Sequence, residues 1–99
     1  MLVINKTVEN AEAVFKLEGR LDTASAPSLE KELVSSLDGV RSLILDFEKV
    51  EYVSSAGLRV LLATFKRMRS ANGSMSLINV GKGLSDVFQL TGLARIFGL

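Results

Sequence analysis

Cysteine and histidine are both missing from this 99-residue chain, and the two absences remove most familiar catalytic designs. Without cysteine there is no disulfide scaffold and no thiolate chemistry. Without histidine as well, the chain cannot assemble a Ser-His-Asp triad, a Cys-His dyad or a usual zinc site. No metal, no cofactor and no enzymatic activity are therefore expected. Long apolar runs are missing too, and a membrane-crossing helix needs about 20 such residues. The opening MLVINKTVEN lacks the basic start and extended apolar stretch of a secretory signal, so a cytoplasmic location is expected. Neither sign of charge prevails: 12 basic residues face 11 acidic ones, for a net charge of +1. Such a chain projects no field toward a phosphate backbone, and nucleic acid is not an expected partner.

What remains is an ordinary globular composition, 47% hydrophobic and 23% charged, of a length that suits one domain over residues 1–99. A domain of this size buries roughly two-thirds of its unfolded surface, enough for one continuous core. Leu2 to Val8 is rich in β-branched and apolar residues and reads as a strand closed by Glu9-Asn10. Ala13 to Glu18 alternates, Phe15 and Leu17 against Lys16 and Glu18, and reads as a half-buried strand paired with the first in a hairpin. The stretch GRLDTA at 19–24 reads as a loop. Ser25 then serves as N-cap, Pro27 sits in the first turn, and Ala26, Leu29, Leu33 and Leu37 make an amphipathic helix that Asp38-Gly39 ends.

Ser42 to Phe47 has almost no alternation, as expected of a strand covered on both sides. A helix opens at Ser54 or Ser55, with Leu58, Leu61, Leu62, Phe65 and Met68 as its buried stripe and Arg59, Lys66, Arg67 and Arg69 outside; Asn72-Gly73 stops it. Met75 to Val80 reads as a further strand and Leu84 to Leu90 as a short helix ended by Gly92, with Ile96-Phe97 as a final edge strand. The order is β-β-α-β-α-β-α with a last β, an α/β domain with a mixed sheet: an opening hairpin, then parallel strands, with helices packed mainly on one face.

The segment DFEKVEYVSSAGLRVLL at 46–62 carries the most chemistry. A buried strand ending at Phe47, a charged loop and a helix start follow one another. Ser54 and Ser55 stand where unsatisfied helix N–H groups point outward. Either can serve as a cap, a contribution of about 1 kcal/mol. Alternatively Ser55 accepts a phosphate, which a helix N-terminus stabilises through its dipole and free N–H groups. Gly57 costs about 1 kcal/mol of helix propensity against alanine, which points to close approach of another backbone or of a partner. Gly81-Lys82-Gly83 lacks the spacing of a phosphate-binding loop and reads as a turn before a helix. Asp22 reads as an Asx-type holder of its own loop.

Three stretches, GRLDTASAPSLEKEL at 19–33, LILDFEKVEYVSSAGLRVLL at 43–62 and DVFQLTGLARIF at 86–97, resemble a STAS domain of the anti-sigma-factor-antagonist type. With the opening hairpin the resemblance spans essentially the whole chain. It implies a phosphorylation-controlled binding switch that sequesters an anti-sigma factor/serine kinase and frees a sigma factor, and it allows a PP2C-type phosphatase as a further partner. Ser55 matches the family's phosphoacceptor. Where the family typically has Asp-Ser-Ser-Gly, this chain has Ser54-Ser55-Ala56-Gly57, so Ser54 is a competing acceptor. The partner-binding surface implied by the resemblance comprises Asp22, Thr23, Ser54, Ser55, Ala56, Gly57 and Arg59. STAS domains also form tails of anion transporters; a chain with its own Met1 and no membrane segment is not expected to be one.

Two other classes of function compete. One is a small-ligand or nucleotide-sensing module built at the same helix start, which ligand-dependent thermal stabilisation would reveal. The other is a hydrolase or transferase built from Asp22, Asp46 and a lysine, which local spacing does not bring together.

Overall fold

The structure, a computed structural model, describes residues 2–99. Its elements are β1 (Leu2–Glu9), β2 (Glu12–Leu21), α1 (Ala26–Ser36), β3 (Ser42–Val53), α2 (Ser55–Ser70), β4 (Ser74–Ile78), α3 (Lys82–Thr91) and α4 (Leu93–Phe97). The four strands form one sheet in the order β1-β2-β3-β4. β1 and β2 pair antiparallel about a turn in which Asn10 takes the left-handed conformation, and β2-β3 and β3-β4 are parallel. The mixed sheet with an opening hairpin and helices on one face is the architecture expected from the sequence.

That covered face gathers Ala13, Phe15 and Leu17 of β2, Leu43, Leu45 and Phe47 of β3, and Met75 and Leu77 of β4. All four helices feed buried residues into this one core: Leu29 and Leu33 from α1, Leu61 and Met68 from α2, Phe88 from α3, Phe97 from α4. The opposite face carries Asn5, Lys16, Glu18 and Asp46, and it leaves Ser42, Ile44 and Asp46 only half-buried. The central strand is thus covered on one face and not on both, a correction to the sequence reading. Its uniform hydrophobicity rests on Ile44 alone, which shares the open face with charged neighbours.

β2 and β3 run farther than expected. The GRL of the presumed loop is the end of β2, and the charged stretch after Phe47 is still strand. The sequence signal failed there because the strands do not keep a period of two. Phe47, Val50 and Val53 are all buried at three-residue spacing, since the β2–β3 register shifts twice, between Lys16 and Glu18 and between Gly19 and Arg20. Each bulge inserts a residue, returns the next valine to the core and leaves the charged residues outside. Gly19, with φ of 107°, supplies backbone freedom at the bend.

Other boundaries shift for equally local reasons. Asn79, with φ of 56°, ends β4 before Val80. The buried stripe of α2 is Gly57, Val60, Leu61, Thr64 and Met68, with Leu58 and Phe65 half-buried on its flank, where Phe65 packs edge-on to Phe97 at 5.7 Å. Ile96-Phe97 belongs to α4 and not to an edge strand. Ala94 and Phe97, three residues apart, both face the core; a helical turn aligns them, whereas a strand would send them to opposite faces.

Leu45 is fully buried at the centre of the sheet. Leu45→Ala should cost ~2–5 kcal/mol through lost burial and a residual cavity. Chemical denaturation would read this directly, and a loss below ~0.5 kcal/mol, the range of surface substitutions, would place Leu45 outside the core.

Candidate functional site

The parallel neighbours β2 and β3 end together, with Leu21 paired to Val53. In open α/β sheets, crevices for binding form beyond such carboxyl ends. Here the two following segments, the Asp22–Ser25 loop leading into α1 and Ser54 leading into α2, are tied across the strand ends. The Ser54 N–H donates to the Leu21 carbonyl at 2.8 Å.

The α2 start separates its two serines. Ser54 is the N-cap: its backbone is extended, its hydroxyl accepts from the Gly57 N–H at 3.2 Å, and its carbonyl accepts from the Leu58 N–H at 2.9 Å. Only 9% of Ser54 is exposed. Ser55, the first helical residue, is exposed. Its N–H and that of Ala56 lie among the first-turn donors that have no acceptor within the helix. The cap and the accessible hydroxyl are therefore different residues. Arg59 lies four positions after Ser55, one turn on along the same helix face, and is exposed.

Gly57 is buried against the domain itself. A Cβ placed there would lie 2.7 Å from Leu21 Cγ and 3.0 Å from the Leu21 carbonyl oxygen. The backbone that approaches it is its own β2, and Gly57 offers no surface to a partner. Its place in the partner-binding set is thereby corrected to one of support.

Asp22 organises the other rim. Its Oδ1 accepts from the N–H groups of Ala24 and Ser25, both at 3.0 Å. The Ser25 hydroxyl bonds the Arg20 carbonyl at 2.7 Å and accepts from the Asp22 N–H at 2.9 Å. Ser25 thus occupies the N-cap position of α1 without a side-chain cap, because its hydroxyl is turned back to β2. The Ser25 N–H, helped by its hydroxyl and by the Ala24 N–H, holds the Asp22 carboxyl below its ordinary value. The Asx turn read from the sequence is present.

Of the seven residues named from the resemblance, Thr23, Ala56 and Arg59 share one surface depression of ≈ 290 Å³ with Ala26, Pro27, Glu30 and Val60. Ser55 stands exposed beside Ala56, Asp22 lies in a neighbouring hollow with Ser25 and Ser28, and Ser54 and Gly57 are the framework underneath. Pro27, Glu30 and Val60 were not among the residues named from the resemblance; they join this depression because the first turns of α1 and α2 lie side by side. The parallel pairing of the two preceding strands was the only available signal.

Asp46 is elsewhere, on the open face of the sheet. The Glu48 N–H first, then the Asn79 amide and the Lys16 charge, hold its carboxyl below the ordinary value. Asp22 and Asp46 are not brought together, and both are set up as ionised acceptors within their own turns. Lys82 opens α3 and pairs with Asp86 at 3.4 Å. Among the described residues, no group of three or more His, Cys, Asp or Glu could hold a metal ion, and no helix is long and apolar enough to cross a membrane.

Comparison with known proteins supplies the family. The STAS domain matches residues 3–99. The chain belongs to the STAS domain family. It is similar to BtrV of Bordetella bronchiseptica, 38% identical over 82 residues that cover 82% of this chain and 71% of that protein. It is also similar to the anti-sigma-B factor antagonist of Bacillus subtilis, 34% identical over 83 residues, 84% of this chain and 76% of the other. Among solved structures, an anti-sigma factor antagonist from Mycobacterium paratuberculosis superposes with a TM-score of 0.85 at 26% identity, covering 98% of this chain and 83% of that one.

Two measurements test this geometry. Gly57→Ala should destabilise by ~1–3 kcal/mol, the usual cost of overpacking, because either Leu21 or the start of α2 must move; an unchanged urea midpoint would show that the close approach is absent. For Asp22, a folded pKa below the unfolded value of about 3.9 means that its stabilisation is present above that pH. It is lost as pH falls through the lower, folded value. The amide shifts of Ala24 and Ser25 should therefore titrate with a midpoint below that of a free aspartate, and a midpoint at or above it would break the Asx assignment.

Proposed function

We propose that this STAS domain is an anti-sigma factor antagonist whose binding to an anti-sigma factor/serine kinase is switched by phosphorylation of Ser55. The observation that carries the reading is the division of labour at the start of α2, with Ser54 buried as the cap and Ser55 exposed one residue on. A kinase reaches the Ser55 hydroxyl without unmaking the helix start, whereas modifying Ser54 would take away the acceptor for the Gly57 N–H. The relatives named as antagonists support the same assignment.

The mechanism follows from where the charge is added. A phosphoserine carries nearly two negative charges. At the first turn of a helix, free N–H groups and the dipole offset part of this, by ~0.3–1 kcal/mol at an exposed site. The fold therefore tolerates the modification. A partner seated over Thr23, Ser55, Ala56 and Arg59 does not, since it meets new bulk and must desolvate a dianion. Unphosphorylated chain binds the anti-sigma kinase and frees the sigma factor; phosphorylated chain lets go, and a PP2C-type phosphatase would reset it. This is regulation in the cytoplasm by binding and not by turnover. A ligand-sensing role is not favoured, because the hollows at the strand ends are open and shallow and their polar groups are spent on local turns.

The test is incubation with the cognate anti-sigma kinase and ATP, followed by phosphosite mapping and binding measurements. Phosphate is expected on Ser55. Ser55→Asp should stay folded, within ~1 kcal/mol of the parent, and bind the kinase far more weakly, while Ser55→Ala keeps both stability and binding. Ser54→Ala should instead lose ~0.5–2 kcal/mol, the contribution of a cap, and still be phosphorylated. Phosphate on Ser54, or undiminished binding by Ser55→Asp, would overturn the assignment.

A further inference from the structure

The depression beside Ala56 does not end at the first turns of the helices. Glu30 lines both it and a second hollow of ≈ 100 Å³ farther along the α1–α2 seam, bounded by Val34, Ala63 and Arg67 among others. The two hollows follow one another along the seam, meeting at Glu30, and together outline a shallow trough between the helices. Its exposed apolar surface comes from Pro27 and Val34 of α1 and from Ala56 and Ala63 of α2, with Val34 57% exposed. Small side chains on one wall and a bare valine on the other suit the ridge of a third helix laid into the seam.

The charges along the trough are lopsided. α2 contains Arg59, Lys66, Arg67 and Arg69 and no acidic residue at all. Among the described residues, none of these four cations forms an ion pair; the four pairs present involve Lys6, Arg20, Lys49 and Lys82. On the α1 side, Glu30 lines the trough, while Glu32 is bound to Lys6 at 2.7 Å. Arg59 and Arg67, two turns apart, both border the trough on its α2 side.

We propose that this trough seats an amphipathic helix of a partner protein whose flank facing α2 carries carboxylates two turns apart, matched to Arg59 and Arg67. An apolar seam with a cationic wall selects an acidic amphipathic helix by charge complementarity as well as burial. A phosphate backbone would leave the apolar floor uncovered. A second copy of this chain offers a poor match: α2 is basic, α1 has one acid, Glu32, tied to Lys6 and another, Glu30, next to Lys31, and Asp86 of α3 is held by Lys82. The inference rests on the Ser55 reading only for the identity of the protein that supplies the helix. It also gives the switch a second arm. A phosphate on Ser55, one turn before Arg59, would draw that guanidinium to itself and take it from the partner's carboxylate.

The probe is a synthetic amphipathic helical peptide with an Ala/Leu seam and a glutamate flank, set against a twin with lysine in place of each glutamate. Amide NMR of the full 15N-labelled chain, at ~10 mM ionic strength where charges act over about 30 Å, reads the contact. The glutamate peptide should shift Val34, Ala56, Val60 and Ala63 and bind at least ~10-fold more tightly than its twin, and added salt should weaken it. The double variant Arg59→Glu/Arg67→Glu, at exposed positions that leave the core intact, should invert that preference. Equal binding of the twins, no shifts at millimolar peptide, or shifts confined to another face would overturn the proposal. So would shifts that grow with protein concentration alone, which would make the occupant a second copy. Peptide binding without any kinase acting on Ser55 would keep the trough and remove the switch; phosphorylation of Ser55 with no peptide binding would do the reverse.

Discussion

The parallel junction of β2 with β3 is the constraint on which the rest of the molecule depends. At its carboxyl end the Leu21 carbonyl accepts the Ser54 N–H, and the Leu21 side chain packs where any Cβ on residue 57 would have to go. One residue of β2 thereby sets both the position at which α2 begins and the depth to which it sinks. Because α1 leaves the same strand only a short loop later, the two helix starts are held side by side, and the surface between them is made by backbone geometry before any side chain is considered.

From this follows a separation of inward-bonded from outward-facing residues within the same turns. Asp22, Ser25, Ser54 and Gly57 face inward or bond within their own turns, and their polar groups are satisfied there; among the described residues no buried side-chain polar atom lacks a partner. Thr23, Ser55, Ala56 and Arg59 lie on the outside of the same turns. A charge added to the outer set changes what the surface attracts without disturbing the inner set. Modification of a protein near the middle of its chain can then leave its stability almost untouched, because buried polar groups are costly to disturb and exposed ones are not.

The helix-covered side of the sheet gives this surface its rigidity. Phe15, Phe47 and Phe88 are buried among leucines drawn from both the sheet and the helices, with Phe47–Phe88 and Phe88–Phe97 meeting edge to face at 6.3 and 5.9 Å. Close-packed interiors of this kind have few alternative arrangements. The switch proposed for this domain would work by changing the charge and shape of a fixed surface. The sheet's other face, with Lys16, Glu18 and Asp46 among half-buried apolar residues, takes no part in the α1–α2 surface.

Local pattern determined much of this protein. The 3.6-residue spacing of Leu29, Leu33 and Leu37, the strand patterns between the helices and the Ser-Ser-Ala-Gly start of α2 were enough to read an α/β domain with a helix opening at the two serines, and the resemblance extended that to a family. Local pattern could not reveal the strand ends. Phe47, Val50 and Val53 keep their burial only because two bulges reset the pleat, and a bulge is a property of the pair of strands and not of either one. It could not tell Ser54 from Ser55, since both residue types suit a cap and the choice was made by the hydrogen bond to Leu21. Nor could it place Pro27, Glu30 and Val60 beside Thr23 and Arg59. The group on α1 is distant in sequence from the group on α2, and the two meet only because parallel strands deliver their helices to the same edge. Spacing along a chain encodes what one element does alone, and the surface between two elements exists only once the strands have paired.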